Sequence, residues 1–111
     1  MSKNPPEPPK HLSTESKKFW KKVVAEFDLE HHHLSLLRLA AEAWDTGQMA
    51  RSALVEAKSL TYKDRHGCPK PRPEVAIERD ARTGFARMLR ELNLDIEPPS
   101  DSRMPRGSRY A

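Results

Sequence analysis

The chain has 111 residues, 36% of them hydrophobic and 32% charged, with a formal net charge of +4 and a pI near 9.4. That size suits one small domain with a modest core, and a core this small gains from self-association. Cys68 is the single cysteine, which excludes an intrachain disulfide and fits a reducing compartment.

The start, Met1-Ser2-Lys3-Asn4-Pro5-Pro6, has no apolar h-region, so no secretion signal is expected. No apolar run approaches the roughly 20 residues of a membrane span. Gly47, Gly67, Gly84 and Gly107 are too dispersed to form a phosphate-cradling loop. Neither a cofactor nor a small-molecule substrate nor a membrane partner is expected.

Prolines divide the chain, because proline lacks an amide donor and blocks helix interiors. Pro5, Pro6, Pro8 and Pro9 crowd the start; Pro69, Pro71 and Pro73 lie mid-chain; Pro98, Pro99 and Pro105 fall near the end. The expected organisation is an extended Pro-rich arm over 1–11, a helical domain over 12–94 and a disordered basic tail over 95–111. The expected fold class is mainly α, with about three helices and a hairpin-like loop before the last.

Ser13 is a natural N-cap for a first helix over 14–27, with Glu15 placed favourably in its first turn. At about 100° per residue, Phe19, Trp20, Val23, Val24 and Phe27 share one arc, while Lys17, Lys18, Lys21 and Lys22 share the opposite one. Asp28 can cap a second helix over 29–58. Its main apolar stripe is Leu34, Leu37, Ala41, Trp44 and Val55. A second face holds Leu36, Ala40, Ala43, Gly47, Ala50 and Leu54. Two apolar faces imply burial on two sides, and the small-residue face is expected to pack against another subunit.

Residues 59–73 break the helical period. Leu60-Thr61-Tyr62 reads as a short strand, Asp64-Arg65-His66-Gly67 as a turn, and Pro69 and Pro71 confine any returning strand to an edge. Pro73 opens a third helix with Glu74 in its first turn, and Ile77, Ala81, Phe85, Met88 and Leu92 form its stripe. Asn93 suits the left-handed residue that ends it.

Charge is unevenly spread. Residues 1–22 carry a net +4, residues 23–58 a net −3 and residues 59–73 a net +3. Such basic segments suit a polyanion. The candidate DNA contacts are therefore Lys10, Lys17, Lys18, Lys21 and Lys22 at the front and Lys63, Arg65, Lys70 and Arg72 in the central loop. The bland reading of the lysine face is a solvated surface that keeps a small domain soluble.

Other features read as structural. His31, His32 and His33 point about 100° apart in turn and cannot converge on one ion, so they suit a polar helix start. His66 and Cys68 supply two ligands where a structural zinc needs four. Trp20 and Trp44 lie on core stripes rather than among basic residues. No nucleophile with its base and no carboxylate pair stands out, so neither catalysis nor a metal is expected.

The order of these segments carries a resemblance. Pro9-Lys10-His11-Leu12 leads to Lys18-Phe19-Trp20 and Asp28-Leu29. A long helix with Leu37, Ala41 and Trp44-Asp45 follows, then the hairpin-like segment. Pro73-Glu74-Val75-Ala76-Ile77 and Phe85-Ala86-Arg87-Met88-Leu89-Arg90-Glu91-Leu92-Asn93-Leu94 complete the pattern. Over about residues 5 to 105 this resembles the compact small subunits of tailed-bacteriophage terminases. Where that family often has Asn-Pro and a Gly before the final Leu, this chain has Arg72-Pro73 and Asn93.

The resemblance implies a non-catalytic viral DNA-packaging factor in the host cytoplasm. Such a protein forms an oligomeric ring, engages double-stranded phage DNA, and regulates a large terminase subunit that carries ATPase and nuclease. Two other readings compete. A small helical DNA-binding transcription regulator would need a recognition helix, and only the third helix offers the arginines, Arg79, Arg82, Arg87 and Arg90. A scaffold protein would bind no nucleic acid.

Overall fold

Where the proline-rich arm ends, Ser13 starts the first helix: its hydroxyl accepts from the Ser16 N–H at 3.2 Å and caps α1, Thr14–Glu26. The computed structural model describes residues 5–94 with Pro98 and Pro99; most of the expected basic tail over 95–111 lies outside the described residues, as does the arm before Pro5. The protein is mainly α, in the order α1, α2 (His31–Ala57), β1 (Thr61–Lys63), β2 (Pro69–Pro71) and α3 (Pro73–Leu92).

The cap of α2 differs from the expectation. Glu30, not Asp28, is the N-cap, and its N–H donates to His33 Nδ1 at 3.2 Å. An imidazole three residues along competes for the start of the helix, which moves the boundary forward. Lys58 ends α2 in the left-handed region, and its N–H donates to the Leu54 carbonyl at 2.9 Å. α3 begins on Pro73 at its first position and ends on Asn93 at φ 55°, as the sequence predicts.

Leu12, Phe19, Trp20, Val23, Leu37, Ala40, Ala41, Phe85 and Leu92 form the core, so all three helices contribute. The rings of Phe19 and Phe85 tie α1 to α3 at 6.1 Å between centroids, and Trp44 meets Phe85 at 5.3 Å.

The expected subunit face on α2 is used within the chain. Ala40, Ala50 and Leu54 are buried, Leu36, Ala43 and Gly47 are half-buried, and a Cβ on Gly47 would stand 3.4 Å from the Ala81 Cβ of α3. Arg51 and Glu78 pair across the same seam, Nε to Oε2 at 3.8 Å. Small side chains do admit a close helix, but that helix is the chain's own α3.

A second correction concerns the far end. Val55 and Ile77, expected in core stripes, are 57% and 44% exposed. α1 begins beside Asp45 and runs back toward the start of α2, so the remainder of α2 and the opening turns of α3 have no third helix over them.

Candidate nucleic-acid interface

The α1 ammonium face depends on how firmly α1 is seated. Phe19, Trp20 and Val23 are buried on its inner side; Lys18, Lys21 and Lys22 are exposed on its outer side and Lys17 is half-buried. Lys10, just ahead of the helix, is exposed as well. The amphipathic spacing read from the sequence is thus realised.

Asp45 was not singled out as a candidate, yet it anchors this helix. Its Oδ2 accepts from the Ser13 N–H at 2.8 Å, and its Oδ1 accepts from the Ser13 and Ser16 hydroxyls at 2.6 Å each. Ser16 is fully buried, and its hydroxyl also lies 3.3 Å from the Ala41 carbonyl. One carboxylate thereby satisfies the helix start and a buried hydroxyl together, which matters because an unpaired buried polar group is costly. The only sequence signal was an acid within an otherwise apolar arc of α2.

The arm adds a second anchor. The Trp20 indole N–H donates to the Pro6 carbonyl at 2.9 Å, and Leu12 is buried in the core. Residues 5–9 carry no regular secondary structure, and Pro6 is fixed against α1. His11 Nε2 stands 2.7 Å from Glu42 Oε2, and Glu42 also accepts from Arg38.

The central loop is a β-hairpin with Thr61 opposite Pro71, Tyr62 opposite Lys70 and Lys63 opposite Pro69. Every strand residue is exposed. Lys63, Arg65 and Lys70 project from it, whereas Arg72 is half-buried and its Nε is enclosed without a hydrogen-bond partner. Arg72 stands at the N-cap of α3, and its N–H donates to the Leu60 carbonyl at 2.9 Å. Of the four basic loop residues, Arg72 belongs to the seam between hairpin and helix.

The structure brings the candidates together as two sets rather than one. From Asp45, where α1 begins, to the end of α2 is about 20 Å of helix at 1.5 Å per residue. The α1 set and the hairpin set lie on either side of that interval.

Among the described residues, no three His, Cys, Asp or Glu side chains are grouped to hold a metal ion, and no helix is long and apolar enough to cross a membrane. His33 serves the α2 start, and the His66 and Cys68 amides both donate to Asp64 Oδ1 at 2.9 Å. The arginines of α3 are partly engaged: Arg79 pairs with Asp80 at 3.4 Å and Arg82 with Glu78 at 3.2 Å. That leaves few free guanidinium groups on the first half of α3. Comparison with protein-family models, curated proteins and solved structures gives no match to this chain.

Proposed function

We propose that this chain is a phage DNA-packaging factor of the terminase small-subunit type, a non-catalytic protein that binds double-stranded DNA and regulates a large subunit carrying ATPase and nuclease. The observation that carries the reading is the lysine face of α1, held outward by a helix that Asp45, Trp20 and Phe19 fix in place. A pre-set row of ammonium groups neutralises phosphates and releases counterions without ordering a flexible segment first.

The copies assemble, most simply as a ring, in the host cytoplasm. Because α3 occupies the small-residue face of α2, subunit contacts use other surface. Leu39, Met49, Val55 and Ile77 are the large apolar side chains that the helices leave exposed for it.

Replacing Lys17, Lys18, Lys21 and Lys22 together with Gln keeps helix propensity similar and leaves the inner face intact. The slope of log K against log salt should become shallower by up to roughly 3 to 4 units per bound subunit, with a similar loss on all sequences. A folded variant with an unchanged slope would reduce the face to a solubilising surface. Wild-type protein that binds no DNA would leave the scaffold reading in place.

A further inference from the structure

The hairpin is an exposed ribbon with only Lys63 leaving an outward amide unengaged on its edges. The Arg72 N–H donates to the Leu60 carbonyl at 2.9 Å at one end, and the Asp64 N–H donates to the Cys68 carbonyl at 3.0 Å at the other. Bonded and non-bonded pairs alternate along an antiparallel ladder, so Tyr62 faces Lys70 in a bonded pair. The outward amide positions of β2 are then Pro69 and Pro71, neither of which has an N–H. On β1 the outward groups of Thr61 are engaged by the Ser59 hydroxyl, which accepts from its N–H at 3.2 Å and donates to its carbonyl at 3.0 Å. An edge so treated resists adding a strand from another chain.

With strand addition disfavoured, what the ribbon offers is its faces and its tip. The tip is pre-shaped, since Asp64 Oδ1 accepts from the His66 and Cys68 amides and Gly67 takes φ 79°. The one acid of the segment is thus turned onto its own backbone, while Arg65 is exposed. Lys63 and Lys70 stand on opposite faces, because they occupy neighbouring pairs of the ladder. A two-stranded ribbon, about 4.8 Å between strands, fits the roughly 12 Å major groove of B-DNA.

We propose that the β1–β2 hairpin is a second DNA contact that enters the major groove tip-first. Arg65 reaches a guanine edge there, and Lys63 and Lys70 each face one phosphate wall. The inference rests on the DNA-binding reading above and adds base readout, which the α1 lysines do not supply. The opposed lysines and the single arginine at the tip favour a duplex over a protein partner, whose surface would have no reason to carry anionic walls on two sides.

The test uses the full chain to select duplexes from a random-sequence pool, followed by dimethyl sulfate footprinting, which reports guanine N7 in the major groove. Wild-type protein should enrich guanine-containing sites and protect their N7 atoms. Arg65→Ala should lose the protection and bind the selected site about 10- to 100-fold more weakly. Arg65→Lys keeps the charge without the bidentate fork, so it should lose protection with little change in salt slope. Lys63→Gln with Lys70→Gln should make the slope shallower by about 1 to 2 units. All three substituted positions are exposed, and circular dichroism with urea unfolding checks that each variant folds.

Hairpin variants that bind and protect like wild type, beside a four-lysine α1 variant that loses binding, would overturn the hairpin proposal and leave the DNA-binding reading standing. Variants that change native mass or large-subunit binding but not DNA affinity would overturn it in favour of a protein contact. If wild-type protein enriches no duplex but still binds with a steep salt slope, the groove contact is refuted. If it binds no DNA at all, both readings fail together.

Discussion

Along one helix, α2, burial changes from one region to the next. Where α1 lies across it, Leu37, Ala40 and Ala41 are fully enclosed; further along, Met49 and Val55 are 73% and 57% exposed. The first region is a three-helix wedge closed by aromatic rings, an arm proline and a carboxylate clamp. The second is a helix pair with Ala50 and Leu54 as its buried α2 residues, carrying a hairpin that is exposed throughout. Apolar burial is the main source of stability, so the wedge is the folding body and the far end is an extension held by continuity of α2 and α3. Each region carries its own basic set, and they differ in kind. The α1 set is a row of ammoniums along one face of a firmly packed helix; the hairpin set is a few cations on an exposed two-stranded ribbon.

The largest contrast should come from truncating one apolar α2 residue in each region. Leu37→Ala removes a fully enclosed side chain and should cost about 2 to 5 kcal/mol in urea unfolding. Val55→Ala on the same helix should change stability by less than about 0.5 kcal/mol. Comparable losses at both positions would mean that another surface covers the far end in solution.

Next in size is Asp45→Ala. It strands the Ser13 N–H and leaves the buried Ser16 hydroxyl only the Ala41 carbonyl at 3.3 Å, for an expected loss of about 1 to 3 kcal/mol. On the proposed function Asp45 acts only by fixing α1, so the salt dependence of DNA binding by the folded variant should stay close to wild type. A stability change near zero would show that the aromatic contacts alone seat α1.

The smallest effect sharpens the boundary between the regions. Gly84 lies within α3 next to Phe85, and a Cβ there meets nothing within 4 Å. Gly84→Ala should therefore stabilise the chain by about 0.5 to 1 kcal/mol, read as a higher urea midpoint. A loss instead would mean that a neighbouring copy approaches α3 at that point.

Local chemistry made most of the elements legible. Ser13, Pro73 and Asn93 mark helix ends by effects confined to one turn, and each does in the structure what its chemistry dictates. The lysine face and the aromatic face of α1 follow from the helical repeat alone. Asp28 misled because two acids and an imidazole stand close together, and the choice among caps depends on which side chain reaches an amide.

The small-residue face of α2 misled for a different reason. Periodicity tells which face is buried but not by what, and the covering helix begins only after a hairpin of uncertain direction. Val55 and Ile77 fit their stripes by spacing, yet α1 starts beside Asp45 and runs away from them. Asp45 was invisible because its value lies in two serines far away in sequence. In the candidate interface, the basic residues were legible by type, whereas the split into two sets depended on where α1 starts along α2.

The seating of Trp20 under Pro6 has an optical consequence. Trp20 and Trp44 are the chain's two tryptophans, and both stand in the wedge. Indole emission therefore reports on the seating of α1 and the arm, and it is blind to fraying of the hairpin and of the α2–α3 ends beside it. Amide hydrogen exchange sees both regions. The far end should exchange earlier while tryptophan emission is still native, so a single fluorescence transition would describe half of the molecule.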